Sequence, residues 1–214
     1  MITRDLRSAT PREVYRVLSS VVIPRPIAWI LTESPAGLLN LAPFSSFMGI
    51  FGPPLLAVAF GRRKDGSLKD THRNLRETGE AVVHLAGVSS LEALHASGED
   101  LPPEQSEVER LGLATLPSRA VKPPRLASAP VALECRLRSE EEVGPSTTLV
   151  LLHVLCLHAA EGIWDGEGDA ADPERWEPVA RLGSLTGPNY ALLGRRLRLE
   201  APVRSRDVPG GRRR

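Results

Sequence analysis

Val131-Ala132-Leu133-Glu134-Cys135-Arg136-Leu137-Arg138 alternates apolar and polar side chains, and Leu149-Val150-Leu151-Leu152-His153-Val154-Leu155-Cys156-Leu157 is almost continuously apolar. Period-two alternation is the mark of a strand with one polar face, whereas an unbroken apolar run of this length fits a strand buried on both faces. Gly144-Pro145 lies between them and supplies the turn of a hairpin. Folded there, the hairpin sets Cys135 roughly opposite Cys156, as two buried thiols.

The rest of the chain reads outward from this hairpin. Thr10-Pro11 starts a short helix over Val14 to Leu18, with a cap residue followed by proline at the first helical position. Val21-Val22-Ile23 runs into Pro24-Arg25-Pro26, and Ile27 to Leu31 resumes as a strand; prolines in that break suit a bend or an edge. Ser34 to Gly37 is a turn, and Leu55 to Phe60 is a further strand. Asp70 or Thr71 caps a helix whose body is His72 to Glu77 and whose stop is Gly79. Ala81 to Leu85 returns as a strand, Ser90 to Ala96 as a helix, and residues 99–128 as an excursion with a short helix at Val108 to Leu111. Short strands with helices between them predict a mainly β fold, an antiparallel barrel with helical insertions. No Gly-x-Gly-x-x-Gly follows a strand, which argues against a dinucleotide-binding parallel sheet. Residues 1–200 read as one domain and 201–214 as a polar, arginine-rich, disordered tail.

Composition narrows the function. The chain has 214 residues, 42% of them hydrophobic, and a formal net charge of +1, so it lacks the basic excess of a nucleic-acid binder. No apolar run approaches the roughly 20 residues of a membrane span, and Met1 to Thr10 has no secretory apolar stretch. Cys135 and Cys156 make neither a disulfide framework nor a metal-ligand spacing, so no metal is expected. A cytoplasmic location is the default expectation.

Two segments carry chemistry. Asn40-Leu41-Ala42-Pro43-Phe44-Ser45-Ser46-Phe47-Met48 mixes an amide, hydroxyls and aromatics between two strands. That mixture suits a flat heterocycle with a polar edge, and equally a strand and polar turn with Phe44 and Phe47 in the core. Lys69-Asp70-Thr71-His72-Arg73-Asn74 puts a cation and a hydroxyl at a helix N-terminus, where free N–H groups and the helix dipole favour phosphate. An ordinary capped surface helix fits the same residues, and Asp70 as an anionic cap would slightly oppose a phosphate.

In order, Ile23-Pro24-Arg25-Pro26-Ile27-Ala28-Trp29, Asn40 to Ser45, Pro53-Pro54-Leu55, Lys69-Asp70-Thr71 with Asn74, Glu77 to Glu80, Ala180 to Gly183 and Tyr190-Ala191 stand along the chain. The ordered set resembles the flavin reductase-like, flavoredoxin-type family over roughly residues 10 to 195. The resemblance implies an FMN-binding split barrel of Greek-key antiparallel strands that dimerises around its flavin. It implies that Asn40, Ala42, Pro43, Phe44, Ser45, Ser46 and Phe47 wall the flavin, and that Lys69 and Thr71 hold its phosphate with Asp70 and Asn74 beside them. Arg25 and Pro26 match the motif at the flavin-side edge, and Arg181 and Tyr190 match positions near the site. The implied activity is an NADH- or NADPH-dependent reduction of flavin, passed on to a downstream monooxygenase or another acceptor. Many relatives carry a histidine in the hairpin before the long apolar strand, where Thr147 stands here. That departure keeps a second reading open, a flavoredoxin-like electron carrier without nicotinamide turnover. A pyridoxamine-phosphate oxidase relative shares the barrel but fits the ordered motifs less well.

Overall fold

A computed structural model describes residues 1–164, 170–183, 187–197 and 199. The expected tail at 201–214 lies outside the described residues. Helix α1 spans Pro11–Val21, longer than the apolar periodicity alone predicts. Its start is a reciprocal cap: the Thr10 hydroxyl accepts the Glu13 amide and the Glu13 carboxylate accepts the Thr10 amide. Strands β1 (Arg25–Pro26), β2 (Ala28–Glu33), β3 (Leu39–Phe44), β4 (Phe47–Phe51) and β5 (Pro54–Gly61) follow. Then come α2 (Asp70–Thr78), β6 (Glu80–Leu85), α3 (Leu91–Ala96) and α4 (Glu107–Arg110). The chain continues through β7 (Thr115–Leu116), β8 (Arg125–Leu126), β9 (Val131–Gly144), β10 (Thr147–Ala159), β11 (Ala180–Leu182) and β12 (Asn189–Ala191).

Seven strands form one antiparallel sheet in the order β3-β2-β6-β9-β10-β5-β4. The hairpins β2–β3, β4–β5 and β9–β10 are interleaved out of chain order, the Greek-key arrangement expected. The outermost strands β3 and β4 are consecutive in the chain, separated only by Ser45 and Ser46, and β3 packs against β5, so the sheet curls into a barrel. Inside lie Ala28, Ile30, Phe44, Val58, Phe60, Val83, Leu133, Val150 and Leu152. Trp29, Leu31 and Leu41, the alternate residues of β2 and β3, point outward and pack with Leu94, Val108 and Leu126 from the helical excursion. The same two strands therefore carry one face of each core, which is why β2 is buried from Ala28 to Thr32.

Helix α2 inserts Leu75 into the barrel core and stacks His72 on Phe60, with ring centroids 5.2 Å apart. Gly79, at φ 74°, ends it in the left-handed region, a conformation open to glycine at little cost. The N-cap is Lys69, not Asp70 or Thr71: both lie in the first turn, and no side chain caps the helix.

The hairpin differs from its sequence reading in three respects. Over Val131 to Cys135, β9 is buried on both faces, Glu134 included, because the segment after α4 covers the outer face. Along β10, burial alternates instead of being complete: Val150 and Leu152 are inside, while Leu155 and Leu157 are 39% and 48% exposed. Among the described residues no element packs fully over these two side chains, so the apolar run is not buried on both faces along its length. Finally, Cys135 pairs with Val154, and a register shift sets Cys156 opposite Glu134. Cys135 is fully buried, and burial raises its thiol pKa to about 12, whereas Cys156 is half-buried on the outer face.

His84 sits fully buried between the two cores. Its Nδ1 lies 3.0 Å from the Trp29 carbonyl and its Nε2 2.9 Å from the Leu126 amide. An amide must donate to Nε2, so Nδ1 carries the proton and the ring is neutral. Burial, opposed by the Trp29 carbonyl and assisted by the charge of Arg125, lowers its pKa from 6.5 to about 4. The folded pKa lies below the unfolded one, so His84 contributes stability that is present above pH 6.5 and lost as pH falls toward 4. Taking the protein from pH 7 to pH 5 should cost about 2 kcal/mol through this group. Urea denaturation at both pH values checks this, and His84→Gln should show a clearly smaller difference.

Candidate functional site

The site begins where α2 meets β3. Asn40 Nδ2 donates to Thr71 Oγ1 at 2.8 Å, and Asn74 Nδ2 donates to Thr32 Oγ1 at 3.2 Å. Thr71 and Asn74 are 1% and 2% exposed, so these bonds fix the start of the helix against the strand from within. The Lys69 carbonyl accepts the Arg73 amide at 2.9 Å, the first bond of the helical ladder. The amides before it belong to Asp70, Thr71 and His72, the orphan donors of a helix start, and no side chain caps them.

Lys69, Asp70 and Thr71 line a cleft with Asn40, Ala42, Pro43, Phe44, Arg63 and Gly98. Lys69 Nζ lies 5.7 Å from the centre of the Phe44 ring. The Asp70 carboxylate is held by Arg63 on one side and by Arg73, at 2.5 Å, on the other. Two guanidinium groups thus pair with the Asp70 anion and Lys69 stands beside them, while Glu99, Asp100 and Glu107 line the same cleft. The sequence reading of Asp70 as an anionic cap is corrected: the cap residue is Lys69, and the Asp70 carboxylate is paired with Arg63 and Arg73. On the floor, Glu107 Oε2 accepts the Leu41 amide at 2.9 Å. Burial raises the Glu107 pKa, and the Leu41 amide only partly counters it.

The cleft continues past Pro43 and Gly98 into a second hollow lined by Tyr15, Ile27, Ser45, His95, Arg181 and Tyr190. Beyond Ser45 lies a third, apolar hollow with Leu18, Val22, Pro24, Arg25, Pro26, Ser46, Phe47 and Met48. Arg25 Nη1 donates to Ser45 Oγ at 2.7 Å, and its buried Nε has no partner. β1 pairs with β11, setting Arg25 opposite Arg181, whose guanidinium lies 4.9 Å from the centre of the Tyr190 ring. His95 Nδ1 lies 3.0 Å from the Tyr190 hydroxyl.

The fold thus brings twelve of the thirteen expected residues to one continuous trough: Arg25, Pro26, Asn40, Ala42, Pro43, Phe44, Ser45, Ser46, Phe47, Lys69, Asp70 and Thr71. Asn74 stands apart; it lies beneath the wall, bonded to Thr32, with its Oδ1 unpaired. Sequence reasoning missed Arg63, His95 and Glu107. The basic run Arg62-Arg63-Lys64 offered a signal for the first, but His95 and Glu107 come from short helices whose placement needs the tertiary fold. Thr147 sits at the end of β10 opposite Gly61 and is not among the trough-lining residues.

Residues 19–169 match the model of the flavin reductase like domain. An uncharacterized protein of Halalkalibacterium halodurans is 37% identical over 206 residues, covering 94% of this chain and 96% of that protein. Nitrilotriacetate monooxygenase component B from Bacillus cereus is similar in structure, with TM-score 0.85 and 33% identity over 93% of this chain and 98% of that one. The 2-nitrobenzoate 2-nitroreductase NbaA of Pseudomonas fluorescens gives TM-score 0.84 at 29% identity, over 94% and 96%. The chain belongs to the flavin reductase-like family, and its fold is the split barrel.

Glu107 offers a test of the site's scaffold. Truncation by Glu107→Ala leaves the buried Leu41 amide without its acceptor and should destabilise the protein by about 1–3 kcal/mol in urea denaturation. Glu107→Gln retains an acceptor oxygen and should lose clearly less.

Proposed function

We propose that this flavin reductase-like protein binds FMN in the trough and reduces it with NADH or NADPH. The observation that carries the reading is the uncapped start of α2, with Lys69 and Arg63 at its end of the cleft, beside the mixed polar and aromatic wall of β3. Backbone amides of the first turn, Lys69, the Thr71 hydroxyl and Arg63 are donors suited to a phosphate. Ala42, Pro43, Phe44 and Phe47 offer apolar surface for a flat ring, while Asn40, Ser45, Ser46 and Arg25 offer hydrogen-bonding groups along its edge. Bound FMN would supply the hydride-accepting chemistry, and the protein would bind, orient and shield it. No side chain has to act as acid or base in this scheme.

A homodimer belongs to the same reading. Tyr15, Leu18, Val22 and Met48 around the apolar hollow are exposed by 63%, 45%, 59% and 59%, and β10 adds the exposed Leu155 and Leu157. An apolar surface this extensive favours a partner subunit, which would also close the trough. The reduced flavin would then serve a downstream monooxygenase or another acceptor, a role in keeping with the name of the Bacillus cereus neighbour. No described helix is long and apolar enough to cross a membrane. Two free thiols suit a reducing compartment, so we place the protein in the cytoplasm.

Thr147 favours a second reading, a flavoredoxin-like electron carrier, because it stands where many relatives carry a histidine. Steady-state oxidation of NADH and NADPH by the FMN-loaded protein decides between the two. Turnover supports the reductase, and reduction only by an external donor supports the carrier.

Lys69→Glu tests the phosphate end directly. A charge-assisted hydrogen bond is worth roughly 1.5–3 kcal/mol, so reversal should weaken FMN binding by at least about tenfold. Riboflavin has no phosphate and should bind mutant and wild type alike. Flavin-fluorescence titrations that shift in parallel for the two ligands would exclude Lys69 from the phosphate site. Light scattering of the flavin-loaded protein should give twice the chain mass; a single-chain mass at micromolar concentration would contradict the dimer.

A further inference from the structure

On the outer face of the hairpin, three different ligand atoms converge. Cys156 and His158 are two residues apart on β10 and therefore point to the same side. Glu134 of β9 lies directly opposite Cys156 because of the register shift between Val154 and Cys156. His158 Nε2 is 2.6 Å from Glu134 Oε1 and 3.7 Å from Cys156 Sγ, and all three ligand atoms lie within 4.8 Å of one another.

The geometry points to a divalent-metal site of zinc type, with Cys156, His158 and Glu134 as ligands and a fourth position for water. Thiolate, imidazole and carboxylate are the donors zinc accepts, and three protein ligands with an open fourth position is a recurrent arrangement. Hydrogen bonding alone leaves the cluster half explained. Nε2 has one proton or one lone pair, so its short bond to Glu134 cannot also serve Cys156. The thiol's other contact is a long one, 3.9 Å to the Leu157 carbonyl.

Charge favours the same reading. Glu134 is fully buried. A thiolate and a carboxylate neutralise a dication, which matters at a half-buried position. Arg119 and Ala120 orient the carboxylate through their amides at 2.7 and 2.5 Å, the outer support that metal ligands need. Ligand atoms about 2.0–2.1 Å from a tetrahedral ion stand roughly 3.3 Å apart, so the 2.6 Å contact belongs to the metal-free form. Binding replaces that hydrogen bond: Nε2 gives up its proton to solvent, leaving the ring neutral with its proton on Nδ1, and the Cys156 thiol gives its proton to solvent.

Cobalt(II) reports on such a site, because thiolate coordination produces a near-ultraviolet charge-transfer band and a tetrahedral field intensifies the visible bands. Titration of the full-length, metal-free protein should saturate near one equivalent with both signals, and Zn2+ should abolish them by competition. Cys156→Ser should lose the charge-transfer band, and His158→Gln should weaken Co2+ binding by at least about tenfold. Unchanged circular dichroism of both variants confirms that they fold. A wild-type protein that shows no thiolate band overturns the proposal without reference to any variant. Equal Co2+ binding by Cys156→Ser would overturn it too, leaving Glu134 and His158 as a clamp on the loop at Arg119.

Discussion

The arrangement of this protein depends on how α2 sits across the barrel. Leu75 reaches the interior core, a burial worth roughly 1.5–3 kcal/mol, and the Asn40–Thr71 and Asn74–Thr32 hydrogen bonds lock the same helix to β3 and β2. These contacts leave the helix little freedom to rotate. Its first turn is consequently held beside the one strand that carries Asn40, Ala42, Pro43 and Phe44. A helix end with unused amides is common, but its placement against a strand that mixes apolar and polar side chains makes a trough.

Electrostatics within the trough follow from that placement. Asp70, read in isolation, would repel a phosphate. In the fold it lies between Arg63 and Arg73, and Lys69 remains over the Phe44 ring. Glu107 reaches the same cleft from below, and burial favours its neutral form while it holds Leu41. The charge at this end is therefore set by four chain segments brought together, not by the helix alone. At the far end Arg25 and Arg181 are neighbours through the β1–β11 pairing, and His95 and Tyr190 complete that wall.

The two cysteines show how one hairpin can produce opposite chemistry. Cys135 faces the barrel core, and burial holds its thiol protonated far above neutral pH. Cys156 faces outward, beside an imidazole and an anion. A single register shift in β10 produces the difference, because it decides which residue of β9 stands opposite Cys156. Side chains alternate along a strand, so any change of register reassigns neighbours as well as faces.

Much of the fold and of the trough was legible in local pattern. Thr10-Pro11 marked the start of α1, Gly79 marked the end of α2, and Gly144-Pro145 marked the hairpin, since caps and turns depend on backbone chemistry within a few residues. The ordered motifs from Arg25 to Thr71 named the trough-lining residues through their family resemblance, since by residue type alone the same segments fit an ordinary strand, turn and capped helix. Tertiary structure decided the rest. Burial of Glu134, the exposure of Leu155 and Leu157, the bracketing of Asp70 by Arg63, and the arrival of His95 and Glu107 all depend on which segments pack together. Cys156-x-His158 carries no metal-ligand spacing by itself; its third partner lies on another strand and is chosen by register. Sequence pattern determines which faces of an element are apolar, whereas only the folded chain determines what, if anything, covers them.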